Sequence, residues 1–139
     1  MISEVHNRAE SRTRLWTSRT ISGVVTLFLL LDALMKVIRA APVVEGTVKA
    51  GYSASSVRPI GIILLVCVIC YVIPRTSVLG AILLTGYLGG AVATNLRISS
   101  PLLTYTLVPV YVGVLAWGGL FLREERLRAL IPVRKLANY

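Results

Sequence analysis

The run VLGAILLTGYLGGAVATNL, residues 78–96, holds no charged side chain over 19 residues. A helix needs about 20 mostly apolar residues to cross the roughly 30 Å hydrocarbon core of a bilayer, and this run meets that length. Three further apolar segments flank it, at about Ile21–Ile38, Ile60–Ile73 and Leu102–Leu122. The second is the shortest and reaches full length only if Ser56–Pro59 and Pro74 lie in the headgroup region. Together the four leave no room for a soluble domain in 139 residues. The pattern predicts an all-α, four-helix transmembrane bundle, with helices over about 20–41, 57–73, 77–96 and 101–122, a basic tail over 1–19 and a second over 123–139.

Bulk composition agrees. Mean hydropathy is +0.76 and 55% of residues are hydrophobic, outside the soluble globular range. The net charge of +9 does not describe a nucleic-acid surface, because the basic residues sit at segment ends, where they anchor helices and set topology. With four crossings both termini share one side. Ten of the fifteen Lys and Arg fall there; Lys36, Arg39, Lys49, Arg58 and Arg97 fall on the other. The positive-inside rule therefore predicts cytoplasmic termini. The first apolar segment follows about 20 polar residues and carries Asp32 and Lys36, so it reads as an uncleaved helix rather than a signal peptide.

Connections follow from turn chemistry. Pro42 is a good first helical residue and Gly51 a good stop, which predicts a short interfacial helix between the first two spans. Ser55 or Ser56 is placed to cap the second span. Pro74-Arg75-Thr76-Ser77 and Leu96–Pro101 are tight turns, and Pro109 is expected to kink the fourth span. Trp16 marks a membrane interface. Leu127, Leu130 and Ile131 share one face of a C-terminal amphipathic stretch halted by Pro132.

Several motifs carry a family resemblance. They are Pro74-Arg75-Thr76-Ser77-Val78-Leu79-Gly80 and its continuation through Thr85-Gly86-Tyr87-Leu88-Gly89-Gly90 to Thr94, with Val43-Val44-Glu45-Gly46 before Gly51-Tyr52, and Pro109-Val110-Tyr111 before Trp117-Gly118-Gly119-Leu120. The chain resembles the bacterial DoxX-like family over about Leu29–Val133. The resemblance implies a four-helix bundle of the bacterial cytoplasmic (inner) membrane. It also implies either an accessory partner of redox enzymes and membrane complexes or a link to quinone chemistry. Members commonly carry histidine where this chain has Asn95, so no titrating or metal-binding role carries over to that position.

Candidate chemistry is concentrated in one leaflet. Asp32 and Lys36 are four apart and share a helix face. Asp32 lies about 16 Å past Ile21 at 1.5 Å per residue, near the midplane, where ionisable groups are a functional hypothesis by default. The bland account is a structural ion pair, with Lys36 reaching for the headgroups. Tyr87, Thr94, Asn95 and Arg97 on the third helix, Tyr105 and Tyr111 on the fourth, and Glu45 in the outer connection approach the same leaflet. They predict an outward-opening polar cavity fit for a quinone head group or another small amphiphile; the alternative is polar ties between helices.

Gly86, Gly90 and Thr94, with Gly89 and Ala93 one position over, form small-residue stripes that predict close helix packing, within the chain or against another protomer. Cys67 and Cys70 have dithiol spacing, but thiols inside an apolar helix are poorly ionised, and a regular helix gives an i,i+3 pair awkward disulfide geometry. His6 is the only histidine, and no metal-ligand spacing is present. Two readings follow. In the first the protein is a non-catalytic partner or assembly subunit of a larger membrane complex, bound to a membrane-protein partner or to its own copies. In the second it is a quinone-linked oxidoreductase component. A transporter fits less well, since no inverted repeat is visible.

Overall fold

The computed structural model describes the backbone of residues 2–130 and the side chains of residues 12–129. Ile131 and Pro132, and the side chains of His6 and Leu130, lie outside that range. The helices are α1 (Ile2–Val37), α2 (Ala41–Lys49), α3 (Val57–Val72), α4 (Ser77–Arg97), α5 (Val108–Arg123) and α6 (Glu125–Leu130), and no strand occurs among the described residues.

Four helical stretches are long and apolar enough to cross a membrane: Arg12–Val37, Ala54–Val72, Ser77–Arg97 and Leu102–Arg123. Large apolar side chains point outward from all of them, among them Phe28, Ile63, Ile82 and Val114, each about half exposed or more. Such a surface is stable against lipid, where a helix satisfies its own backbone. The chain is a multi-pass membrane protein.

α1 borders α3 and α5, and α4 borders the same two, so the spanning helices form a ring with α1 and α4 at opposite corners. The core fills the ring with Val25, Leu29 and Ala33 of α1, Leu64, Val68 and Tyr71 of α3, Ala81, Leu84 and Leu88 of α4, and Ala116 and Leu120 of α5. Leu127 of α6 tucks beneath it, as its place on the amphipathic face predicts.

Lipid tails are as apolar as leucine, so close backbone approach and interhelical hydrogen bonds hold such a bundle together. Three glycines supply the approach. A Cβ on Gly80 would overlap the backbone of Cys70 and Tyr71. One on Gly61 would lie 2.6 Å from Lys36 Cβ and 2.9 Å from Val37 N, and one on Gly119 would lie 2.5 Å from Ser22 Oγ. The expected stripe behaves differently: nothing approaches the Cβ positions of Gly86, Gly89 or Gly90 within 4 Å. These three glycines face open space, so they do not pack against a neighbouring helix of this chain.

Polar ties are few and specific. Ser18 Oγ donates to Gly119 O at 2.9 Å, Tyr71 Oη to Ala116 O at 2.8 Å, and Trp117 Nε1 to Thr85 Oγ1 at 2.8 Å. Tyr71 is 1% exposed and joins α3 to α5 across the ring. Tyr71→Phe should therefore cost about 1 kcal/mol, read as a lowered midpoint in unfolding of the detergent-solubilised protein.

Other local expectations change. The polar segment 2–19, expected as a mobile tail or a surface-lying helix, is helical and runs unbroken into the first span as part of α1. Pro109 lies in the first turn of α5, where its missing N–H costs nothing, and the irregularity falls before it, in a π-helical turn over Leu102–Thr106. Ser56 makes no side-chain cap; at the next turn Ser77 Oγ donates to Pro74 O at 3.2 Å. The interfacial helix forms as α2, with Pro42 in its first turn and Gly51 beyond its end at φ +87°.

Candidate functional site

α1 and α4, at opposite corners of the ring, do not touch, and at the α2 end of the bundle a cavity of about 540 Å³ lies between them. α1 contributes Asp32 and Lys36, which form an ion pair within one helix turn. Their side chains are 35% and 15% exposed, respectively, so the ammonium is the more enclosed partner. Lys36 is held there because its Cβ packs against Gly61 of α3.

The opposite wall is α4. At 100° per residue, Tyr87 and Ala91 fall within about 20° of the direction of Gly80, the glycine in contact with α3. Further along, the same face no longer meets α3, and Tyr87, Ala91, Thr94 and Asn95 line the cavity instead. The Tyr87 hydroxyl has no hydrogen-bond partner among the described residues. Asn95 Nδ2 donates to Tyr105 O at 3.0 Å, which fixes its amide and ties α4 to the π-helical turn. Ile60 and Ile63 of α3 give an apolar flank.

α2 forms the roof, through Val43, Gly46, Thr47 and Ala50. None of its residues is buried, so polar clasps hold it rather than a core. Arg97 Nη2 donates to Ala50 O at 3.0 Å and its guanidinium lies 5.9 Å from the Tyr52 ring centroid. Tyr52 Oη and Thr94 Oγ1 share a hydrogen bond of 2.9 Å. Gly51 is favoured here by its φ of +87°, and a Cβ would meet only the mobile end of Arg97, at 2.8 Å from Nη2.

Of the candidate residues, Asp32, Lys36, Tyr87 and Asn95 surround one cavity. Thr94, read from the sequence both as a polar residue of this leaflet and as a packing residue, lines it as well, and so do Gly86 and Gly90, read as packing residues. Arg97 does not line it but clasps the roof, and Tyr105 contributes its carbonyl while its ring, in a residue 61% exposed, points away. Tyr111 is 53% exposed on the lipid face of α5. Glu45 is exposed and off the cavity; it lies on the far side of α2 from the face made by Val43, Gly46, Thr47 and Ala50. Tyr52 and Thr47 were missed. The available signal was Gly51, whose turn carries Tyr52 back over α4.

Other chemistry is less developed. Cys67 and Cys70 are free thiols, the first buried. Among the described residues no three His, Cys, Asp or Glu gather closely enough to hold a metal ion.

No curated protein and no solved structure gives a significant match. The sequence profile of the DoxX-like family matches residues 20–119, a stretch that takes in every residue lining the cavity. On that match the chain belongs to the DoxX-like family.

Proposed function

We propose that this membrane protein binds the head group of a small amphiphile, of the quinone class, in the cavity between α1 and α4. The observation that carries this reading is the pairing of walls. The Asp32–Lys36 pair faces Tyr87 and Asn95 across about 540 Å³, inside the range of small-molecule sites, which combine apolar lining with a few placed polar groups. Lys36 and the unpartnered Tyr87 hydroxyl are donors suited to the two ring oxygens of a quinone, and Ile60, Ile63 and Ala91 suit its ring faces. A bound quinone supplies redox chemistry; these residues hold and orient it. With the termini cytoplasmic, as the charge distribution predicts, the site lies in the outer half of the inner membrane.

The test is binding of a decyl-chain benzoquinone to the protein in nanodiscs. Saturable binding is expected at one per chain. Tyr87→Phe should weaken it about three- to tenfold, the worth of one hydrogen bond, without changing the fold, because that hydroxyl holds nothing in the protein. Absence of binding, or equal binding by Tyr87→Phe, would overturn the proposal.

A subunit role has one observation in its favour. A second groove of about 450 Å³ runs between α4 and α5, lined by Gly89, Val92, Gly113 and Val114. It is apolar and faces lipid, as a seat for a helix of another chain would. Polypeptides retained in fixed ratio in native mass spectrometry, with no small adduct, would favour that role.

A further inference from the structure

We infer that the ligand of this cavity enters sideways from the lipid, between α3 and α4, and carries a hydrocarbon chain that lies in a slot over Gly86 and Gly90. The inference rests on the proposed head-group site and adds the ligand's class and its route.

On the water side α2 lies over the cavity and is pinned at both ends. At its C-terminal end Arg97 holds Ala50 O and covers the Tyr52 ring, and Tyr52 is bonded to Thr94. At its N-terminal end the chain reverses through Arg39, at φ +57°, whose guanidinium donates to Ala54 O at 3.3 Å. A left-handed non-glycine residue is costly and persists where surrounding contacts hold it.

The α1–α3 seam is closed at Gly61, and the α3–α4 seam is closed only at Gly80. α1 and α3 meet at Gly61, where Lys36 and Val37 leave no room for a Cβ. α3 and α4 meet at Gly80, in backbone contact with Tyr71. From Gly80 outward the α3–α4 seam opens. Gly86 and Gly90 are turned about 100° from the Gly80 direction, toward lipid. Both are exposed, and the space beside each is empty to 4 Å. Across from them Ile63 is 56% exposed.

The opening is thus a strip with an isoleucine edge on one side and bare helix backbone on the other, continuous with the polar cavity behind it. A methylene chain fits such a strip; a hydrated solute does not, because leaving water for an apolar mouth strips polar groups of partners. A head that seeks Lys36 and Tyr87, joined to a chain that stays in the bilayer, matches both ends of the path. Glycine at 86 and 90 then keeps the slot open, which explains small residues that pack against nothing in the chain.

Filling the slot tests this. The double variant Gly86→Leu, Gly90→Leu places its side chains in open space and should melt at or above the wild-type temperature. Measured in nanodiscs, its affinity for decyl-chain benzoquinone should fall about tenfold or more, and that for the chainless parent quinone by less than about threefold. Equal losses for the two probes, or none for the decyl compound, would overturn the chain slot.

Route is read without any ligand. A spin label at Gly90→Cys, in a background with Cys67 and Cys70 changed to alanine, should collide with dissolved oxygen and be shielded from a water-soluble nickel chelate. Ready access by the chelate would overturn lateral entry, whatever binds. If neither quinone binds the wild type while the label is lipid-facing, the head-group chemistry is what fails and the lateral opening stands.

Discussion

Replacing Gly80 with alanine is expected to cost the bundle about 3 kcal/mol or more, the upper range for forcing one extra carbon into a packed interior. Adding the same methyl at Gly86 should change stability by less than about 1 kcal/mol, and in the stabilising direction, since alanine outranks glycine in a helix. The contrast isolates packing from propensity. At Gly80 the added carbon would overlap the backbone of Cys70 and Tyr71, and backbone atoms of a helix cannot swing aside as the end of a long side chain can. Relief requires α3 and α4 to separate. That would pull Tyr71 from its bond to Ala116 O and loosen Leu84 and Val68, both buried in the core. Unfolding by a denaturing detergent, followed by circular dichroism, measures both variants. A Gly80→Ala protein as stable as the wild type would mean that this contact does not hold the bundle.

The same pair of glycines shows how far the sequence reaches. Four apolar lengths, Pro42, Gly51 and the Pro74–Ser77 turn are local signals, and each produces the expected element because chain length and backbone dihedrals act within a few residues. Periodicity places Gly86, Gly90 and Thr94 on one side of α4, but it does not say what stands opposite. That depends on where α3 diverges from α4, a property of the whole ring. The tight glycines, Gly61, Gly80 and Gly119, sit outside the stripe and were not singled out for it.

The site divides in the same way. Asp32 and Lys36 are legible because charge inside an apolar run is rare. Tyr87 and Asn95 are legible because their helix sets their depth. Glu45 and Tyr52 depend on the rotation of α2 and on the turn at Gly51, which hydropathy does not report. Arg97, an apparent ligand donor, is spent on Ala50 O and the Tyr52 ring. The polar segment reads as a mobile tail or a surface-lying helix; its unbroken continuation into the first span is not legible from charge, although arginine, glutamate and alanine are good helix formers.

Lys36→Met should be the most damaging single change in the cavity wall, at about 2–3 kcal/mol, and adding Asp32→Asn should recover most of that loss. Removing one member of a buried pair leaves the other uncompensated, which costs more than the pair is worth. Asp32 sits one turn deeper than Lys36 on a short side chain, so it cannot reach the headgroup region as lysine can. The loss falls below that of a fully enclosed pair because 35% of the Asp32 side chain reaches the cavity. Asp32→Asn alone should cost less, since Lys36 can extend toward the α2 end of the cavity. A double-mutant cycle on detergent unfolding gives the coupling, expected at about 2 kcal/mol. Additive losses would mean that the two charges are screened from each other by cavity water. The double variant also separates the two roles of the pair. It keeps the volume and the packing of Lys36 Cβ on Gly61, so it should fold, yet it presents no charge to the cavity. If it binds decyl-chain benzoquinone as the wild type does, the two charges only offset each other within α1 and take no part in binding. If it folds and binds at least about tenfold more weakly, Lys36 is held at that depth to meet a ligand, and Asp32 is its partner there.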